Sequence, residues 1–182
     1  GVVMLLRVLF TGGSAVIERV GPLTLLMVMA AASILYGNLC ALGQRNLKRL
    51  LGYSSIAHAG YLLLGVVALN GAGRTAVLFY LMVYAVAVLG AFTVIAMVMR
   101  HLPTEDISGV SGLHARSPFL GATLALAMVS LAGIPPLAGF LGKFLLLRSV
   151  LEQVGWHPGY GVLAGVTVAG VVISIYYYFR VV

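Results

Sequence analysis

The stretch Leu124-Ala-Leu-Ala-Met-Val-Ser-Leu-Ala-Gly-Ile-Pro-Pro-Leu-Ala-Gly-Phe-Leu-Gly-Lys-Phe-Leu-Leu-Leu147 is an apolar run broken at Gly133-Ile-Pro-Pro136 and carrying a lone Lys143. From Phe119 to Leu147 the run holds about 29 residues, where roughly 20 cross a bilayer as a helix. Pro135 and Pro136 have no N–H to give and clash with the preceding turn, so they free carbonyls that hydrocarbon cannot satisfy. Such a break persists at membrane depth only where it is buried in protein or lines a wet cavity. The segment 133–139 is therefore expected to be non-helical, between two half-helices. Lys143 follows about two turns later among Phe140, Leu141, Phe144 and Leu145, where an ammonium costs about 2.5–3.5 kcal/mol on insertion scales. A broken helix with an ionisable group beside the break is how transporters build ion sites.

The rest of the composition agrees with a membrane setting. Hydrophobic residues are 62% and charged residues 8%, against about 45–50% and about 25% in soluble domains; mean hydropathy is +1.10. The fold class is all-α, a polytopic transmembrane helix bundle with one discontinuous helix. The net charge of +7 would suggest nucleic acid in a soluble domain, but the basic residues mostly sit singly at the ends of apolar runs. They read as interface anchors and topology signals, with the lipid bilayer as partner and no nucleic acid. A single cysteine, Cys40, excludes an intramolecular disulfide and a thiolate set for zinc or iron–sulfur chemistry.

Read in order, the chain starts at Gly1 inside a short apolar run and is taken as a piece cut within a helix. Thr11 to Pro22 form a polar connector, and spans follow at 23–42, 50–69, 75–99, 119–147 and 160–179. Asn46 is placed to cap the span after the basic loop Gly43–Arg49. Tyr176-Tyr-Tyr178 with Arg180 read as an aromatic belt at a membrane interface. Arg45, Lys48, Arg49, Arg100, Arg116 and Arg180 collect on one side, and Arg7, Arg19, Arg74 and Arg148 on the other, which makes the first side cytoplasmic.

The chain has no GxGxxG, P-loop, CxxC or HExxH pattern, so no nucleotide, flavin or metal site is recognisable. What remains are ionisable groups in apolar segments. Lys143 is the leading candidate for an ion pathway, against a lysine that snorkels to an interface. His58, about two turns into its span, suits proton hand-off because its intrinsic pKa of about 6.5 is near neutral, against a histidine bonded to a neighbouring helix. Ser54 and Ser55 read as helix–helix glue, Lys48 as part of a basic loop, and Glu105 and Asp106 as a solvated loop. His101, His114 and His157 lack metal-ligand spacing.

Two motifs carry a resemblance. Ala41-Leu-Gly-Gln-Arg-Asn-Leu-Lys-Arg-Leu-Leu-Gly-Tyr-Ser-Ser-Ile-Ala-His-Ala-Gly-Tyr61 and Ser130-Leu-Ala-Gly-Ile-Pro-Pro-Leu-Ala-Gly-Phe-Leu-Gly-Lys-Phe144, with Tyr176-Tyr-Tyr-Phe-Arg180, resemble the antiporter-like membrane subunits of respiratory complex I. The resemblance implies the second of two inverted repeats in a proton-translocating subunit of a bacterial inner membrane. It carries Lys143 over as the proton-accepting lysine of the broken helix and His58 as a member of the connecting hydrophilic axis. It implies a part in NADH:quinone oxidoreductase turnover with no redox centre in this chain: NADH, flavin, iron–sulfur clusters and quinone are expected on other subunits. A glutamate–lysine pair and a central lysine of the first half-channel would lie upstream of Gly1. The alternatives are a subunit of an Mrp-type sodium/proton antiporter and a non-conducting structural membrane subunit.

Overall fold

The computed structural model describes Met4, Arg7, residues 20–100 and residues 106–182. The rest of the apolar run at 1–10, most of the connector, His101 and Glu105 lie outside the described residues. Among the described residues there are seven α-helices and no β-strand. They are α1 (Val20–Leu42), α2 (Leu47–Val67), α3 (Gly71–Met99), α4 (Leu113–Arg116), α5 (Pro118–Ala132), α6 (Ala138–Leu151) and α7 (Gly159–Val181). A short 3₁₀ turn, Ile107–Val110, precedes α4.

Local chemistry sets the ends. The side chain of Asn46 accepts from the N–H of Arg49 at 3.0 Å and that of Asn70 from the N–H of Gly73 at 2.6 Å, each satisfying a first-turn donor that the helix itself leaves unpaired. Asn46 thereby starts α2 at Leu47 rather than at residue 50. Pro118 opens α5 in its first turn, where a missing N–H costs nothing. Gly133, at φ 82°, ends α5 in the left-handed conformation that glycine adopts without strain.

The break proves shorter than the sequence suggests. Only residues 133–137 leave the helical path, because Leu137 in extended backbone starts α6 and Ala138 and Gly139 already form its first turn. Gly139 is also where the half-helices meet: a Cβ there would lie 1.8 Å from the carbonyl oxygen of Ser130.

α2 is the central helix, with 67% of its apolar window buried. It packs on α1, α3, α6 and α7, while α3 covers α5 and α6. Among the described residues four helices, α1, α2, α3 and α7, are long and apolar enough to cross a membrane, and α5 is a shorter apolar helix that the break separates from α6.

The apolar core divides in two. One cluster gathers Ile34, Leu64, Val77, Leu146 and Leu163; the other gathers Leu50, Ile95, Met128 and Leu131. On three helices buried polar residues fall near where one cluster gives way to the other: Asn38 on α1, Ser54 and His58 on α2, and Ser174 on α7; Ser149 on α6 instead lies within the first cluster. The bundle therefore carries a polar layer between two apolar ones, and the break at 133–137 opens onto that layer.

The basic loops share one face. Asn46 pairs with Asp106 in an isolated antiparallel bridge, and the N–H of Ile107 donates to the carbonyl of Arg45 at 2.8 Å. Arg180 joins them, donating to the carbonyls of Leu42 and Gln44.

Candidate functional site

Lys143 stands on α6 with its side chain turned back over the break. It is 5% exposed, so it does not reach an interface. Its Nζ donates to the carbonyls of Leu131 at 2.8 Å and Ala132 at 3.0 Å and lies 3.4 Å from Ser174 Oγ. Those carbonyls belong to the last turn of α5, which has no further helix to bond them. The ammonium thus fills all three donor positions and sits at the negative end of the half-helix dipole. Gly133 makes room for it, since a Cβ there would meet Lys143 Cδ at 2.8 Å. The ring of Tyr61 lies below the ammonium, 5.0 Å from Nζ to its centroid, within cation–π range.

His58 is buried on α2 and bonded through both ring nitrogens. Nδ1 pairs with the Tyr80 hydroxyl of α3 at 2.6 Å and Nε2 with the Tyr178 hydroxyl of α7 at 3.1 Å. The rings of Tyr80 and Tyr84 stack on it, and Tyr61 meets it edge-on at 5.9 Å. Tyr61 therefore has Lys143 over its face and His58 at its side. A small cavity of about 10 Å³ lies between His58, Tyr80, Tyr84 and Ser130, Leu131 and Gly139, which flank the break on α5 and α6.

A second polar row crosses beside the first. Asn38 on α1 donates to the Tyr61 hydroxyl at 3.2 Å and accepts from the Tyr177 hydroxyl at 3.0 Å. No buried side-chain nitrogen or oxygen among the described residues lacks a partner.

Several sequence readings change here. Tyr177 and Tyr178 are not an interfacial belt: they are 1% and 0% exposed and point into the polar layer, while Tyr176 alone faces outward at 65%. Consecutive residues of a helix are about 100° apart, so a run of three tyrosines cannot share one environment. Ser54 bonds the Tyr178 hydroxyl across helices, whereas Ser55 is exposed and bonds Gly52 of its own helix at 2.6 Å. Lys48 and Asp106 are exposed on the loop face, and His157 accepts from the N–H of Gly159 at 3.0 Å at the start of α7. No metal-ligating cluster occurs among the described residues. Sequence reasoning passed over Tyr61, Tyr80, Asn38 and Ser174. The signal was available in part: Tyr61 stands one helical turn from His58, and Asn38 is an amide within an apolar span.

A buried lysine over a helix break, beside a histidine within a hydrogen-bonded layer, places two ionisable groups inside a bundle of apolar helices. The family profile described as NADH:quinone oxidoreductase/Mrp antiporter, TM, matches residues 1–173, and the chain belongs to that family. It is a multi-pass membrane chain.

Within the family its similarity runs to one subunit in particular. NADH-quinone oxidoreductase subunit N of Desulforamulus reducens is 43% identical over 178 residues, 98% of this chain and 36% of the relative. Subunit N 2 of Opitutus terrae is 45% identical over 159 residues, 87% of this chain and 32% of the relative. The chain thus spans about a third of the length of these relatives. A chain of respiratory complex I from Thermus thermophilus with bound aureothin superposes with a TM-score of 0.73 at 36% identity, covering 87% of this chain and 35% of that one. A chain of the Mrp complex from Dietzia sp. gives a TM-score of 0.83 at 24% identity over 99% of this chain and 32% of that one, a likeness of fold alone.

Proposed function

We propose that this chain forms one proton-transfer half of a membrane subunit of NADH-quinone oxidoreductase, in a bacterial inner membrane, and couples quinone reduction elsewhere in the complex to proton movement. The observation that carries the reading is Lys143, buried at the break with its ammonium held by two orphan carbonyls of α5. Carbonyls stabilise a cation without supplying a counter-charge, so a change in neighbouring charge acts on the ammonium without being offset by a paired carboxylate. His58, bonded on both ring nitrogens, receives and passes protons along the polar layer. The redox groups, NADH, flavin, iron–sulfur clusters and quinone, are assigned to other subunits, and the exposed apolar faces to lipid and to neighbouring membrane subunits.

Sequence similarity favours this reading over a sodium/proton antiporter, since identity to the oxidoreductase subunits is 43% and 45% against 24% to the Mrp chain. The test uses inverted membrane vesicles containing the intact complex with the full-length subunit. NADH-driven proton uptake is measured with sodium and with potassium as the only alkali cation. Equal uptake in both is expected; uptake that requires sodium would favour the antiporter reading.

A further inference from the structure

Tyr177 and Tyr178, near the end of α7, neither bond Lys143 nor face outward. The Tyr178 hydroxyl lies between His58 Nε2, at 3.1 Å, and Ser54 Oγ, to which it is also bonded. With Tyr80 on the far side of the imidazole at 2.6 Å, four groups from three helices form an unbroken row: Tyr80, His58, Tyr178, Ser54. Every member can both donate and accept. The row is therefore satisfied in either polarity, with Tyr80 donating to Nδ1 and Nε2–H donating onward, or with all the protons reversed. A chain of hydrogen bonds that is complete in both directions can move a proton without breaking its heavy-atom frame.

The two ends of the row differ. The Tyr80 end borders the small cavity against Ser130 and Leu131, whose volume of about 10 Å³ is near the least that holds one water. The other end points to the basic-loop face. Ser54 lies a turn closer than His58 to the start of α2, and Arg180, two residues beyond Tyr178, is bonded to the loop carbonyls of Leu42 and Gln44.

We propose that Tyr178 is a proton-relay residue that carries protons from Ser54 to His58 and so inward from the basic-loop face. The proposal rests on the proton-transfer reading above. In the step, Ser54 gives its hydroxyl proton to the Tyr178 oxygen as the Tyr178 hydroxyl gives its own to His58 Nε2. His58 Nδ1 gives its proton to the Tyr80 oxygen as the Tyr80 hydroxyl releases its own to a water in the cavity. A water on the basic-loop side reprotonates Ser54. Each group gains one proton and loses one, and one proton moves along the row.

The test is made in the intact complex with the full-length subunit, at matched subunit content in inverted vesicles. Tyr178→Phe keeps the ring and removes the hydroxyl. It is expected to lower NADH-driven proton uptake about tenfold or more, since positioned proton-transfer groups contribute factors of about 10²–10⁴. Tyr176→Phe, on the exposed side of the same helix, is the control and leaves uptake unchanged. A fluorinated tyrosine at 178 keeps the hydroxyl and its bonds but makes the phenol more acidic. A relay responds with a changed rate and a changed solvent deuterium isotope effect, whereas a purely structural hydrogen bond does not. Unmodified uptake in Tyr178→Phe overturns the proposal. So does a fluorotyrosine variant indistinguishable from the unmodified chain, which also decides the case if Tyr178→Phe fails to assemble. Lys143→Met in the same membranes separates the two levels. If it is impaired while both 178 variants pump normally, only the relay is wrong; if it pumps normally, the transport reading beneath the relay falls as well.

Discussion

Gly139→Ala is the substitution that probes the break most sharply. The added methyl carbon would sit 1.8 Å from the carbonyl oxygen of Ser130 and 2.7 Å from its carbonyl carbon, both backbone atoms that no rotamer change can move. Restoring an ordinary carbon–oxygen contact of about 3.3 Å requires α5 and α6 to separate by about 1.5 Å. Lys143 stands one helical turn beyond Gly139, and its bonds to Leu131 and Ala132 are 2.8 and 3.0 Å long. A displacement of that size carries both past the hydrogen-bonding limit. Overpacking of this kind costs about 1–3 kcal/mol and the loss of a hydrogen bond to a charged group about 1.5–3 kcal/mol, giving a destabilisation on the order of 3–5 kcal/mol. The assay is thermal release of the full-length subunit from the purified complex, with NADH-driven proton uptake measured on the same preparation. Gly90→Ala is the control: its methyl meets nothing within 4 Å, and alanine favours the helix by about 1 kcal/mol over glycine. The expected result is early release and lost uptake for Gly139→Ala and neither for Gly90→Ala. Unchanged release and uptake in both would show that the half-helices do not meet at Gly139 in the assembled subunit.

Two other outcomes are expected. Asn70→Ala removes both the cap on α3 and the bond from Asn70 Nδ2 to the Ser149 carbonyl on α6, at 3.2 Å; a stability loss of about 1–2 kcal/mol is expected in the same release assay. Ser108→Cys, at an exposed position beside the bridge between the basic loops, is expected to resist a membrane-impermeant thiol reagent in intact cells and to react in inverted vesicles. The opposite labelling pattern would reverse the assigned orientation.

The broken helix could be read from sequence because Pro135, Pro136 and Lys143 are each costly in hydrocarbon, and costly residues stand out against an apolar background. The break's end at Leu137 was not legible, since Ala138 and Gly139 tolerate either conformation, and the close approach of Gly139 to Ser130 joins residues nine apart on two different helices. The tyrosines failed for a different reason. In a soluble helix a polar face shows which side turns outward, but here the outward stripe of α7 carries Val162, Val168 and Val172 and is itself apolar. Nothing in the sequence therefore separates Tyr176, which faces outward, from Tyr177 and Tyr178, which do not. His58 was visible as a titratable group within a span, but its partners come from α3 and α7, 22 and 120 residues away.

Lys143 is proposed as a group that gains and loses a proton during turnover rather than a fixed structural cation. Lys143→Met keeps an unbranched apolar stem and holds no proton, while Lys143→Arg keeps a charge that does not leave. The decisive measurement is proton uptake per NADH oxidised, in inverted vesicles holding the full-length subunit at matched content for the unmodified chain and both variants. Both variants are expected to depress uptake, and the arginine chain, though still charged, does not rescue it. Uptake at the unmodified rate in both would contradict the assignment of Lys143 as a proton site, and full rescue by arginine would leave it a fixed cation capping α5.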